Sequence, residues 1–386
     1  MIHSPISLNE GFSPLEVGFK GLTFDDFMSI FVQLFDQGCS DIQISIGLPL
    51  LAKLDGKSIR IISRKIQKAE FSVLLKELKN DEAFGYVLSG NDLDWKYVYN
   101  EPKSERDYRY RVTCSKNQLM PGAEQGMTIV MRTIVSEVPD PESLAIPKEI
   151  INGFDRNSGL FVVSGPTGTG KSTTLASLIK DILFKKPIWI RTAESPVEYD
   201  LQAVNDMKGC KGTIQQLEIP GDLPSFPAFL RGCLRNAPNI ILIGESRDQE
   251  TISQTLATTL TGHYCLTTTH ADSIVITPER MAEPFPIPDR PSVLSQFFEN
   301  IEGLVSQKLL PKKGGGRVAI REWLFFNKEI RNECLDHLKV SGQFKELLTD
   351  ITRKHGRLFI DDLEEVYKQG LVDDYVYTSN RIQLGG

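Results

Sequence analysis

The eight residues Gly165-Pro166-Thr167-Gly168-Thr169-Gly170-Lys171-Ser172 carry the clearest chemistry in this 386-residue chain. Glycines in a G-x-x-x-x-G-K-S spacing let successive backbone N–H groups curl round phosphate oxygens, and the start of a following helix adds partial positive charge. Lys171 is then placed to reach the outer phosphates of a nucleoside triphosphate such as ATP. The Ser172 hydroxyl is placed to hold Mg²⁺, with Thr173 counted in the phosphate-binding set. Three acids stand further along. Glu194 and Glu198 follow an apolar run at 187–192, and either could polarise an attacking water. Glu245 closes the run Asn239-Ile240-Ile241-Leu242-Ile243-Gly244. Glycine holds position 244, where many P-loop enzymes place the Mg²⁺-binding aspartate, so the metal-side duty falls on Glu245. Two of the five histidines, His263 and His270, bracket a β-branched run, and His270 reads as a γ-phosphate sensor.

These groups need elements to aim them. Leu160-Phe161-Val162-Val163-Ser164 is an apolar run entering the glycine loop. Leu175, Leu178, Ile179, Ile182 and Leu183 mark one face of a 3.6-period helix leaving it. Strand, loop and helix in that order are the context a P-loop requires. Runs at 239–243 and 264–269 read as further core strands, with a helix between them marked by Ile252, Thr255, Leu256 and Thr259. Acids just past strand ends lie where an open α/β sheet binds its ligands.

The first 150 residues have a different grammar. Residues 1–20 lack a period and read as an irregular arm. Thr23 with Asp26 three residues later opens an amphipathic helix through Phe27, Ile30, Phe31, Leu34 and Phe35, and Gly38 stops it. The alternating stretch 41–46 reads as a half-buried strand, and Asp55-Gly56 turns the chain toward 59–62. Phe71, Leu74, Leu75 and Leu78 mark a second helix, and runs at 95–99, 108–114 and 127–135 are strand-like. Together they predict an antiparallel sheet with helices on one face. Arg109 and Arg111 share a strand face, and Arg132 lies on another strand. They are either cationic arms for a phosphate bound elsewhere or a solvated edge with stems packed on Tyr108 and Tyr110. Val138-Pro139-Asp140-Pro141-Glu142 reads as linker.

Composition narrows the class. A hydrophobic fraction of 40% and a charged fraction of 24% are those of a globular protein with ample core. A formal charge of -6 argues against a general electrostatic grip on nucleic acid. Six scattered cysteines form no C-x-x-C pair, so free thiols are expected. No apolar run reaches membrane-spanning length, which fits a cytoplasmic protein whose membrane association is peripheral, through a partner.

The P-loop, the acids from Glu194 to Glu198, the G-E-x-R-D at 244–248 and the T-G-H…T-x-H ending at His270 occur in fixed order. As a set they resemble the secretion ATPase superfamily, in its PilT-like branch, over roughly residues 22 to 375. Cys39-Ser40-Asp41-Ile42, Gly47-Leu48-Pro49 and Gly314-Gly315-Gly316-Arg317-Val318-Ala319 extend the likeness. Glu194-Ser195-Pro196 and Tyr108-Arg109-Tyr110-Arg111-Val112 point to the sub-branch of DotB and the conjugative-plasmid TraJ ATPases of type IVB secretion. The resemblance implies an α/β fold with a PAS-like α+β domain over 21–137, a linker over 138–150 and a RecA-like ATPase domain over 151–325. A helical C-terminal subdomain over 326–386 completes it. It also implies a homohexamer hydrolysing ATP with Mg²⁺ at subunit interfaces, docked on inner-membrane secretion or conjugation components that move DNA or protein cargo. Arg109, Arg111 and Arg132 would reach a neighbour's nucleotide, and His263 would join the nucleotide-binding set.

Two departures set transfer above pilus retraction. Pro278, Pro284, Pro286, Pro288 and Pro291 break a region largely helical in the pilus enzymes, and the tail lacks their acidic-aromatic segment. In the C-terminal stretch, Leu294, Phe297, Phe298, Ile301, Leu304 and Val305 read as one helix face ended by residues 307–311. A strand follows at 317–326, then helices near 344–353 and 359–367. Lys312 and Lys313, beside three glycines, read as a solvated turn or as a site for phosphate or lipid headgroups. A nucleotide-gated scaffold with little turnover and a small-molecule kinase are the readings from other classes, and no lid segment supports the kinase.

Overall fold

The computed structural model describes Ile6, Leu8 and residues 13–16, 21–54, 56–102, 106–117, 126–134, 137–341 and 343–385. Most of the arm expected over 1–20 lies outside them. The chain forms two compact units, Met1–Val135 and Ser136–Gly386.

In the first unit, helix α1 (Phe24–Asp36) begins at Thr23, whose side chain and that of Asp26 cap each other's backbone N–H groups. Gly38 beyond its end adopts φ +79°, the left-handed stop that glycine supplies. Strands β1 (Asp41–Ser45), β2 (Leu51–Leu54) and β3 (Lys57–Arg60) precede helices α2 (Lys68–Leu78) and α3 (Ala83–Leu88). Strands β4 (Leu93–Glu101), β5 (Arg106–Asn117) and β6 (Gly126–Ile134) complete an antiparallel sheet in the order β3-β2-β1-β6-β5-β4. Alternation decides its faces. Tyr108, Tyr110, Val112 and Cys114 of β5 turn into the core with α1 and α2, and the residues between them turn out.

The second unit is built on strands that are buried on both faces. Helix α4 (Lys148–Phe154) precedes β7 (Gly159–Ser164), the P-loop and α5 (Lys171–Lys185). Then come β8 (Trp189–Glu194), β9 (Thr213–Glu218), α6 (Phe226–Asn236), β10 (Ile240–Ile243), α7 (Gln249–Thr259) and β11 (Tyr264–Thr269). Helices α8 (Thr277–Ala282) and α9 (Arg290–Asn300) lead into β12 (Ile301–Pro311) and β13 (Arg317–Phe325). The sheet order is β13-β12-β7-β11-β10-β8-β9, parallel except for the β12–β13 hairpin. Period two splits its side chains between two cores. Leu160, Val162, Ile241, Ile243 and Cys265 face one layer, with α6, α7 and α9. Phe161, Val163, Ile240, Leu242, Tyr264 and Leu266 face the other, with α4 and α5.

Three expectations are corrected here. Ile301, Leu304 and Val305 are not on the helix of Phe297 and Phe298, because α9 ends at Asn300 and the chain continues as β12. A central strand buried on both sides shows a continuous apolar run, which periodicity alone cannot tell from a helix. Gly303 marks the strand, since a Cβ there would lie 2.8 Å from the Phe161 ring. The prolines break the region after His270 only in part: Pro284, Pro286 and Pro288 lie in the turn and 3-10 stretch between α8 and α9. Pro278 and Pro291 sit in the first turns of α8 and α9, where a missing N–H costs nothing. Finally, Val138, Ile146 and Ile150, from the stretch read as linker, are buried in the α4–α5 core.

Helices α10 (Lys328–Leu338), α11 (Lys345–His355), α12 (Phe359–Lys368) and α13 (Asp374–Gln383) close the chain. Ile330, Cys334, Leu348 and Ile351 of α10 and α11 lie in the same core as α6 and α9, whereas α12 and α13 form a small core of their own with Leu310 and Ile320.

Candidate functional site

Because β7, β8, β10 and β11 run parallel, their carboxyl ends share one edge of the sheet. That edge opens as a cleft of about 250 Å³ lined by P-loop residues Thr167, Gly168, Gly170, Lys171 and Ser172, and by Glu194, Glu198, Glu245, Arg247 and His270. The P-loop thus meets all four candidate catalytic residues.

The loop's glycines have positive φ at 165, 168 and 170 (147°, 78° and 83°), conformations that side chains resist. Lys171 is buried, and its Nζ donates to the carbonyls of Gly165 (2.7 Å) and Pro166 (2.9 Å). Burial pushes its pKa below the ordinary lysine value, opposed by the charges of Glu245 and Glu198. Thr169 Oγ1 donates to the Pro166 carbonyl at 2.9 Å, which tightens the curl. Thr173 points elsewhere, its hydroxyl 3.0 Å from that of Tyr199.

The acids are held in different ways. Glu194 is buried, and its Oε1 accepts from Thr192 Oγ1 (2.8 Å) and Gln216 Nε2 (2.9 Å). Gln216 also donates to the Tyr199 carbonyl and accepts from the Leu201 backbone, so it braces the whole acidic loop. Glu198, in that loop, is exposed to the cleft. Glu245 Oε1 lies 3.3 Å from His270 Nε2, and its Oε2 lies 3.8 Å from Arg247. The tip of β10 is stitched to β11, with the Ser246 backbone N–H donating to Thr268 O at 3.0 Å and Thr268 Oγ1 to Gly244 O at 2.5 Å. Gly244 allows close passage of β8, since a Cβ there would lie 3.1 Å from the Glu194 Cα. Its smallness has a packing cause that the sequence does not display.

One expected residue of the same unit is placed apart. His263 precedes the first residue of β11, a strand length of roughly 20 Å from the cleft edge, with Nδ1 at 2.9 Å from Thr261 Oγ1. The structure does not bring it to the P-loop of its own chain. In the first unit, Arg109, Arg111 and Arg132 share the outer face, and Arg111 stands opposite Arg132 across the β5–β6 pair. Arg111 Nε and Arg132 Nε donate to Asp94 and Asp41, each at 2.9 Å, and Arg109 lies 3.7 Å from Asp107. Tyr108 and Tyr110 point to the opposite face and pack edge-on against Phe35. The stems of Arg109, Arg111 and Arg132 therefore do not rest on those tyrosines, whereas the Arg106 guanidinium lies 5.2 Å from the centre of the Tyr108 ring.

The described residues contain no group of three or more His, Cys, Asp and Glu arranged to cage a metal. One hydroxyl, Ser172, and the carboxylates of Glu245 and Glu198 in one cleft fit Mg²⁺, a hard cation that keeps waters and takes further oxygens from a phosphate ligand.

A parallel sheet with a P-loop, acids and a histidine along its carboxyl edge defines a P-loop α/β protein. The chain belongs to the Type II/IV secretion system protein family, whose model matches residues 107–366. It is 34% identical over 296 residues to the type IV pilus retractation ATPase PilT of Pseudomonas aeruginosa, covering 77% of this chain and 81% of that one. The crystal structure of the ATPase DotB of Legionella pneumophila superposes with a TM-score of 0.84 at 29% identity, covering 97% of this chain and 100% of that one. The pilus retraction motor PilT with bound ADP superposes at 0.75 and 27% identity, covering 93% and 96%. The resemblance to PilT-like secretion ATPases and the α/β fold class are borne out. No helix of the described residues is long and apolar enough to cross a membrane.

Proposed function

We propose that this chain is a Mg²⁺-dependent ATPase, working as a homohexamer, that powers type IVB-like secretion or conjugative transfer. The observation that carries the reading is the single cleft holding Lys171, Ser172, Glu198, Glu245 and His270. Lys171 and the loop N–H groups bind the β- and γ-phosphates, and Ser172 and Glu245 hold Mg²⁺, which supplies charge neutralisation at the transferred phosphoryl group. Glu198 orients the water. Glu194 is already committed to Thr192 and Gln216, so it secures the loop that carries Glu198. His270, beside Glu245, reads the γ-phosphate. The arginines of the outer face in the first unit complete a neighbour's site. Docking on inner-membrane secretion components keeps the ring in the cytoplasm beside the membrane.

Type IV pilus retraction is the second reading, favoured by the PilT identity. The fuller superposition on DotB supports the first. Phosphate release by the purified chain, with mass measured with and without ATP, tests the ATPase reading. Lys171→Ala should fold and lose hydrolysis to background; a folded Lys171→Ala chain with wild-type turnover refutes it. A host strain lacking the chain separates the two roles, since lost transfer with intact pilus-driven movement fits only the first.

A further inference from the structure

Behind the P-loop, on the side away from the cleft, lies a buried polar pair. Gln307 and Arg321 stand directly opposite each other across β12 and β13, and are 2% and 3% exposed. Gln307 Nε2 donates to the Thr169 carbonyl of the loop. Its Oε1 accepts from Thr174 Oγ1 and from Arg321 Nε, both at 2.8 Å. Arg321 Nη1 and Nη2 donate to the carbonyls of Ala145 and Leu144, each at 3.1 Å.

The chemistry of these groups makes the arrangement directional. A guanidinium can only donate, so the amide must turn its oxygen toward Arg321 and its NH₂ toward the loop. The Thr169–Gly170 peptide is planar, with its C=O and N–H pointing opposite ways. With the carbonyl drawn back to Gln307, the Gly170 N–H is aimed at the cleft side, where Gly170 itself lines the wall. Gln307 also dictates two of the loop's glycines. A Cβ on Gly165 would lie 2.5 Å from the Gln307 carbonyl oxygen, and one on Gly170 would lie 2.9 Å from its Nε2. Those glycines are demanded from behind as well as by phosphate in front. A buried cation held by neutral oxygens is costly, and well-packed apolar residues often serve stability better. Burial lowers the Arg321 pKa to about 10, which leaves it charged at neutral pH.

We propose that Gln307 and Arg321 are positioning residues that hold the P-loop in its phosphate-binding curl from behind. Gln307 acts through the Thr169 carbonyl, and Arg321 acts by fixing which end of the amide faces the loop. The proposal rests on the reading that this loop binds ATP.

Gln307→Glu in the full chain tests it, because it keeps the volume and the Arg321 and Thr174 contacts while placing an acceptor against the Thr169 carbonyl. ATP binding, read with a fluorescent ATP analogue, should weaken about 10- to 100-fold, the size of one buried mispaired group. KM should rise by more than kcat falls, and the thermal midpoint without nucleotide should stay near wild type. Gln307→Met and Arg321→Met should each weaken binding about tenfold, and the double variant should be no worse than the weaker single. Folded Gln307 variants with wild-type affinity overturn the proposal. So does unfolding of both Gln307→Glu and Gln307→Met, which would make the role one of stability alone. If the wild-type chain binds no ATP while Lys171→Ala is indistinguishable from it, the ATPase reading fails instead.

Discussion

In the seven-stranded sheet, β7, β8, β10 and β11 run the same way, so whatever follows Ser164, Glu194, Ile243 and Thr269 arrives at one edge. In the six-stranded sheet neighbouring strands run in opposite directions, and its charges are spread along a face. There Arg109, Arg111 and Arg132 alternate with core residues and are matched by Asp107, Asp94 and Asp41. The parallel sheet concentrates groups from distant parts of the chain into one cleft. The antiparallel sheet displays groups from neighbouring strands on an open surface, suited to a ligand that another molecule carries. On the proposed function, concentration assembles most of a site within one chain, and display completes it only on assembly.

The largest expected effect tests display directly. Arg109→Ala with Arg111→Ala should leave the chain folded, since ion pairs near the surface such as these half-buried ones contribute about 0–1 kcal/mol. If the face supplies arginine fingers, hydrolysis should drop about 10³–10⁵-fold with ATP binding retained. Mixed with Lys171→Ala chains under conditions shown to exchange subunits, the double variant should regain activity. A mixture as inactive as its components breaks the contrast drawn above.

A smaller effect separates the two acids of the concentrated edge. Glu198→Gln and Glu245→Gln should each lose about 10²–10⁴-fold in turnover while still binding ATP. Glu194→Leu should act on stability instead. It leaves the buried Gln216 and Thr192 donors without their acceptor, at a cost of about 1–3 kcal/mol by urea denaturation. Normal turnover in Glu198→Gln would move the water-orienting role to Glu194.

An effect of pH concerns a carboxyl that the seven-stranded sheet buries away from its edge. Glu322 on β13 accepts the backbone N–H groups of Ile274 and Phe359 and faces Lys308, and burial raises its pKa from 4.5 to about 7. Below about 4.5 the native and unfolded chains both hold the proton. Between 4.5 and 7 only the native chain keeps it, so this group's contribution to stability falls as pH rises and levels off above 7. Glu322→Gln removes that dependence. Its stability relative to wild type should improve by on the order of 3 kcal/mol between pH 4.5 and 7, measured by denaturant melts at both ends of the window. A constant difference across the window would show that the carboxyl is ionised in the fold.

How much of this could be read from the sequence depended on where the deciding contact lies along the chain. The P-loop was legible because strand, glycines, lysine and helix are contiguous, and the α1 cap because Thr23 and Asp26 are three residues apart. Glu194 and Glu198 could not be separated, because the deciding amide belongs to Gln216 on another strand. Gln307 was invisible as a P-loop residue because it meets Thr169 from 138 positions away. The start of strand β12, residues 301–305, reads as helix in the sequence because burial on both faces erases the period that distinguishes the two.

The C-terminal helices differ in whom they share a core with, and this bears on how the protein can be remodelled. Helices α10 and α11 bury Ile330, Cys334, Leu348 and Ile351 among the residues of α6 and α9, so a cut ahead of them would strip the sheet's own packing. Helices α12 and α13 gather round Leu310 and Ile320 at the outer hairpin, anchored by Asp362 on the Arg321 backbone N–H at 2.8 Å. A graft between relatives would therefore join at Gly356, ahead of α12, carrying a new tail onto the same seven-stranded sheet.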